Sequence, residues 1–196
     1  MVEYDGRTAL VVVDVQNDFA SPAGSLHVPG GVEAIGAINR EIARARAAGA
    51  LLVYTQDWHP AHTPHFEQDG GVWPVHCVGG TEGAAFHPAL NVHADAPVIR
   101  KGTEGEDGYS AFSVRNPDSG ERFSTALEQE LRDHGIERVV IVGLATDYCV
   151  LETGLDAVRL GFEAVVVTDA IAAVNLDAGD GERALARLRD AGAVLE

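Results

Sequence analysis

Three side chains able to carry acyl-transfer chemistry stand at the ends of apolar runs. Asp14 closes the run at residues 7–14 (RTALVVVD), Lys101 follows the short run at 97–100 (PVIR), and Cys149 follows the β-branched run at 139–142. Beyond that last run Gly143 breaks the pattern, and helical periodicity extends from about Tyr148 to Leu160. Cys149 is therefore expected where a strand hands over to a helix. Such a position offers unpaired backbone N–H groups and the positive end of the helix dipole, which lowers a thiol pKa and favours the nucleophilic thiolate. A thiol needs a base, which an ionised Asp14 supplies. A cation beside both would hold them charged. Of the 14 basic residues only Lys101 is a lysine. A compact ammonium there, where every other basic position is Arg, fits a place that a wide guanidinium fork would not serve.

A second group lies between 57 and 96, about forty residues of Pro, Gly, His and Trp without sustained periodicity. Loops that long in a compact domain are usually functional or wrongly assigned, and this one holds six of the 8 histidines, which favours function. Asp57, His59, His62, His65 and His76 form a set of one carboxylate and several imidazoles, a chemistry suited to one divalent ion of Zn, Fe or Mn. Some of the five are expected to be surface residues. Cys77, next to His76, is expected to be a buried apolar residue. His27, His87, His93 and His134 have no partners at suggestive spacing.

The elements that must position these groups read as alternating strands and helices. The run at 7–14 has the continuous apolar character of a strand buried on both faces. Val32, Ile35, Ile38 and Ile42 recur at helical spacing over 32–48, and a second strand follows at 50–55. Further strands are expected at 97–100, 139–142, 163–168 and 193–195. Helices are expected at 123–134, with Ser124 as N-cap and Gly135 as stop, and at 181–191. Six strands alternating with helices make a three-layer αβα domain with a mainly parallel sheet. In such a sheet all carboxyl ends share one edge, so Asp14, Lys101 and Cys149 can converge. One domain spanning 1–196 is expected, with a long loop at about 56–96.

Composition narrows the function classes. The chain is 46% hydrophobic and 22% charged, ordinary globular material. A net charge of −16 disfavours nucleic acid and anionic membranes as partners. No apolar stretch approaches the ~18 residues of a membrane span. The N-terminus lacks a basic region before its apolar run, which points to the cytoplasm, and the two cysteines are expected to be free thiols there. GxGxxG, GxxxxGK[ST] and GxSxG patterns are absent, so neither a nucleotide cofactor nor a serine elbow is indicated. Self-association is left open.

Taken as blocks, VVVDVQNDF around Asp14, Asp57-Trp58-His59, Trp73-Pro74-Val75-His76-Cys77, Lys101-Gly102 and Gly143–Val150 (GLATDYCV) resemble the nicotinamidase group of the isochorismatase-like cysteine hydrolases. The similarity runs from about Thr8 to the C-terminus. Asp, Lys and Cys alone specify the superfamily; the DxH…H…WPxHC loop narrows it. The resemblance implies an isochorismatase-like, Rossmann-like fold and a catalytic triad of Asp14, Lys101 and Cys149. It implies a divalent metal on Asp57, His59 and His76, with His65 matching a further ligand of some members. It also implies a cis Leu144–Ala145 peptide, an oxyanion hole from the N–H groups of Ala145 and Cys149, and a ring pocket walled by Phe19, Trp73, Tyr109 and Ala145. The activity implied is hydrolysis of nicotinamide, and by extension pyrazinamide, through a thioester. A relative acting on a ureido or carbamoyl substrate shares the triad but needs no pyridine-binding metal. A metal-dependent pyridine-binding protein with an inert cysteine is the reading from another class. Two departures stand out: Tyr148 replaces the His often found before the nucleophile, and the acidic stretch 103–108 lies beside Lys101.

Overall fold

All six residues of strand β1 (Thr8–Val13), the middle of the first apolar run, are buried in a computed structural model that describes residues 2–196. After it come a short helix α1 (Asn17–Ala20), helix α2 (Gly31–Ala47), strands β2 (Leu51–Asp57) and β3 (Val98–Lys101), and strands β4 (Ser113–Arg115) and β5 (Arg122–Ser124). Helix α3 (Leu127–Asp133), strand β6 (Arg138–Leu144), helix α4 (Leu151–Arg159), strand β7 (Glu163–Ala172), helix α5 (Asp180–Ala191) and strand β8 (Val194–Leu195) complete the chain. Six strands form one sheet in the order β3-β2-β1-β6-β7-β8, every neighbour parallel.

Strand periodicity explains the three layers. Alternate side chains of a strand point to opposite faces. Leu10 and Val12 of β1, with Val140 and Val142 of β6, pack against Ile35, Ile38 and Ile42 of α2. Val11, Val13, Val139 and Ile141 pack on the other face with Leu127 and Leu131 of α3, Leu151 of α4 and Leu188 of α5. Each such fully buried aliphatic contributes about 1.5–3 kcal/mol, so the two central strands anchor the domain.

Chain order runs outward from β1 in one direction and from β6 in the other. The seam between them is a topological switch point, the place where open α/β sheets hold ligands at their carboxyl edge. Two backbone features mark it. Asp14 ends β1 in the left-handed region with φ 48°. Gly143 in β6 has φ 114°, and a Cβ there would lie 2.1 Å from the carbonyl oxygen of Val13, so only glycine lets the two strands approach this closely.

Several boundaries differ from the sequence reading. Between the strand expected at 97–100 and the helix expected at 123–134 no element was assigned, yet residues 113–115 form β4, which pairs antiparallel with β5. Phe123 and Ser124 belong to β5, and α3 begins at Leu127. Ser124 is therefore no N-cap; Thr125 Oγ1 accepts the Leu127 N–H at 3.2 Å instead. Strand β2 extends to Asp57, and β7 continues to Ala172. These extensions matter because they carry backbone up to the site.

Candidate active site

The carboxyl ends of β1, β2, β3 and β6 deliver the four groups the sequence singled out. Asp57 and Lys101 are register partners on β2 and β3. Lys101 is 2% exposed, and its Nζ lies 2.8 Å from Asp14 Oδ2, as an ion pair outside hydrogen-bond alignment. The same Nζ contacts Asp57 Oδ1 and lies 3.7 Å from Cys149 Sγ. Thr55 Oγ1 donates to Asp14 Oδ1 at 2.6 Å and accepts the Asp14 N–H at 3.2 Å, so one hydroxyl fixes both ends of the left-handed residue. One buried ammonium thus faces two carboxylates and a thiol.

The charges settle unequally. Burial disfavours the Lys101 cation, but the carboxylates of Asp14 and Asp57 outweigh it and hold its pKa well above the usual range. Burial also pushes Asp57 up, yet Lys101, His59 and His76 bring it down to about 2. For Asp14 burial wins over Lys101, and its carboxyl is raised. The Cys149 thiol is raised well above its ordinary value, first by burial, with Lys101 opposing. The expected lowering of this thiol by a helix terminus is not what the folded chain shows. Desolvation of a buried thiolate exceeds what a helix end returns.

Cys149 sits in a wide turn, Thr146–Val150, where the Val150 N–H reaches back five residues to the Ala145 carbonyl at 3.0 Å. Widened turns of this kind recur at functional sites. The turn starts two residues before the expected helix and runs directly into α4. The Leu144–Ala145 peptide before it is cis. Asp147 anchors the turn by accepting the N–H groups of Val174 and Asn175 at 2.9 and 2.7 Å.

Beside this group, His59, His65 and His76 bring one ring nitrogen each to within 4.8 Å of one another. Both nitrogens of His59 are buried without a hydrogen-bond partner, a costly arrangement unless something else occupies one of them. His76 Nδ1 lies 2.7 Å from the Pro74 carbonyl and His65 Nδ1 lies 3.2 Å from Asp107 Oδ1, leaving Nε2 of each available. Burial pushes His59 down to about 4 and also lowers His76, so these imidazoles are neutral at pH 7, the form that ligates metal. Asp57 Oδ2 lies 3.9 Å from His59 Nε2. The donor set and the orphaned nitrogens fit a metal ion. Gly102 completes the cradle: a Cβ there would meet His59 Nδ1 at 2.5 Å.

Not every singled-out residue converges. His62 is exposed and meets Asp69 at 3.2 Å. Cys77 is buried in the core under α2, as expected. Above Cys149 opens a pocket of about 390 Å³ including its mouth. Phe19, Trp73, Tyr109 and Ala145 line it, together with Tyr148, Leu26, Val28 and Val174. Tyr148 stacks edge-on against both Trp73 and Tyr109, so its effect on the rim is to close an aromatic wall. Sequence reasoning missed Thr55, Asp147 and Gln16. The Gln16 amide donates to the carbonyls of Asp57 and Ala84 at 2.7 and 2.9 Å and accepts the Asp57 N–H at 2.8 Å. Gln16 lies within the recognised VVVDVQNDF block, which is the one signal that could have found it. The acidic stretch 103–108 does not simply charge the entrance, because Asp107 turns inward to His65 and Arg115, which hold its carboxyl well below the usual range.

A buried cysteine, lysine and aspartate at the switch point of a parallel sheet define a class, and comparison places the chain in it: residues 8–196 match the Isochorismatase domain, and the protein belongs to that family. The nicotinamidase of Escherichia coli (strain K12) is 40% identical over 203 residues, spanning 95% of this chain and 93% of that protein. The crystal structure of pyrazinamidase of Pyrococcus horikoshii in complex with zinc superposes with a TM-score of 0.86 at 40% identity, covering 97% of this chain and 98% of that one. PnC1 from L. infantum in complex with nicotinate gives 0.88 at 40% identity, covering 100% and 95%.

Proposed function

We propose that this protein is a nicotinamidase, a metal-dependent cysteine amidohydrolase converting nicotinamide, and pyrazinamide, to the acid and ammonia. The observation that carries the reading is the junction of two buried groups at the floor of one aromatic pocket. Lys101 joins Asp14 and Cys149 on one side, and three converging histidines, His59 among them with both nitrogens unpartnered, lie on the other. A ureido or carbamoyl hydrolase would have no use for the second group. The whole chain works as one domain, with residues 56–96 as its metal-binding segment. It acts in the cytoplasm in NAD salvage, with no nucleic-acid or membrane partner.

Asp57, His59, His76 and His65 hold one divalent ion of Zn, Fe or Mn. When bound, the ion supplies a Lewis-acid contact for the pyridine nitrogen that orients the ring. The chain's own residues do the rest. Phe19, Trp73 and Tyr109 wall the ring and exclude water. The raised thiol keeps its proton until the amide carbon is in reach. Asp14, itself raised toward neutrality, then takes that proton as Sγ attacks, and Lys101 offsets the charge that appears. The N–H groups of Ala145 and Cys149 receive the oxyanion. Asp14 returns the proton to the departing ammonia, leaving a thioester on Cys149. Water attacks the thioester with Asp14 again as base, freeing nicotinate.

The test is ammonia release from nicotinamide by the purified protein before and after dialysis against chelator. Turnover that is lost on chelation and restored by one of the three metals is the expected result. Failure of the metal-loaded protein to release ammonia overturns the proposal.

A further inference from the structure

Of the histidines facing the metal position, two rings are oriented through Nδ1, each by a different device. His76 uses a backbone carbonyl of its own loop, Pro74, two residues away. His65 uses a side chain from another loop, Asp107, with Nδ1 and Oδ1 3.2 Å apart. An imidazole can present either nitrogen, and an acceptor at one of them decides which faces inward. Carboxylates that orient ligating histidines set metal affinity as well as ring angle.

Asp107 is itself held from several directions. Its Oδ1 also accepts the Gly108 N–H at 2.8 Å, and its Oδ2 pairs with Arg115 Nη2. Its backbone exchanges both hydrogen bonds with Arg115, the last residue of β4, with N to O distances of 2.7 and 2.5 Å. The short hairpin β4–β5 has no other visible part in the site. It contributes no pocket wall to the substrate and no ligand candidate. Its place in the fold is to carry Arg115 to Asp107, and two residues on, Tyr109 enters the aromatic wall and accepts the Trp73 Nε1–H at 3.0 Å.

We propose that Asp107 is a positioning residue that fixes His65 as a metal ligand, with Arg115 of the β4–β5 hairpin bracing the Asp107 carboxylate. This rests on the reading of His65 as a ligand. Because the backbone pair between Asp107 and Arg115 is independent of side chains, replacing either side chain leaves the loop attached to the hairpin. Asp107 therefore acts on the metal through His65 rather than through the shape of the loop.

The experiment is a zinc titration of the full chain against a chromophoric chelator, on the wild type, Asp107→Ala, His65→Ala and the double variant. Loss of an orienting partner is expected to weaken zinc by about 10–100-fold, and His65→Ala to weaken it at least as much. The double variant should match His65→Ala within about threefold, since Asp107 has nothing to orient once the ring is gone. Arg115→Met should weaken zinc by a few-fold only, and Asp107→Asn less than Asp107→Ala because its amide oxygen still accepts. In the cobalt-loaded protein, the visible absorption of Asp107→Ala should shift toward that of His65→Ala. Unchanged zinc affinity in Asp107→Ala, or losses that add in the double variant, overturns the positioning role while leaving His65 a ligand. Unchanged affinity in His65→Ala overturns the ligand reading and the positioning role with it.

Discussion

Lys101 is the only lysine among 14 basic residues, and its surroundings explain why an arginine would not serve. Its Nζ meets Asp14, Asp57 and Cys149 within a space 2% exposed. A point charge can face three acceptors from one atom, whereas a planar fork directs its donors outward in fixed directions. Cys149 is the atom on which the chemistry turns, so Cys149→Ala should abolish ammonia release while zinc content stays at the wild-type level; appreciable turnover would remove the thiol from the mechanism. Thr55 offers a finer test. Its hydroxyl donates to Asp14 Oδ1 at 2.6 Å and stabilises the charged carboxylate. Thr55→Val removes that donor, which raises the Asp14 pKa. A base must be ionised to act, so the acid limb of kcat/KM should move to higher pH, and an unmoved limb would argue against Asp14 as the base.

At the scale of elements, the seam between β1 and β6 places Asp14 and Cys149 side by side, and Gly143 permits it. Gly143→Ala puts a methyl into the Val13 carbonyl and forces a side chain into φ 114°. We expect a loss of several kcal/mol in unfolding free energy by urea titration, opposite in sign to the ~0.5–1 kcal/mol that an ordinary strand Gly→Ala exchange gains. Much of this architecture was legible in the sequence because β1, β2 and β6 are buried on both faces and read as unbroken apolar runs. Asp14 and Cys149, just beyond the ends of β1 and β6, were legible for the same reason, whereas Lys101 ends the half-exposed β3 and stood out as the one lysine. The β4–β5 hairpin was not, since its strands are three residues long and mostly exposed, with no alternation to read. Thr55 and Asp107 escaped for a different reason. Their roles come from partners 41 and 42 residues away, and nothing local distinguishes a Thr at a strand end or an Asp in an acidic loop. The lowered thiol pKa was misjudged because sequence reveals a helix start but not how deeply the sulfur is buried.

Across the whole molecule, burial of the histidines sets how the fold responds to acid. His59 has its pKa at about 4 in the folded chain against 6.5 when unfolded, and His76 is lowered too. The unfolded chain therefore takes up protons first. For the chelated protein this stabilisation is complete above about pH 6.5 and is lost as pH falls toward 4, amounting to about 3 kcal/mol for His59 alone. Denaturation midpoints measured in chelator at pH 7 and pH 4.5 should differ accordingly; equal midpoints would mean that the rings are already protonated or exposed. The net charge of −16 has a separate effect. Nicotinamide is neutral and nicotinate is an anion, so kcat/KM should barely change with ionic strength, while product inhibition should strengthen as salt screens the repulsion. Asp57 spans the two halves of the site, one oxygen toward Lys101 and the other toward His59. A single carboxylate shared in this way makes the thiol and the ion reciprocal reporters of each other. An ion that draws on Asp57 leaves Lys101 more fully to Cys149 and eases the thiol's ionisation; by thermodynamic necessity, ionising the thiol tightens the ion by the same factor. Zinc affinity of the wild type should therefore climb more steeply with pH than that of Cys149→Ser, and parallel slopes would show that the two halves ignore one another.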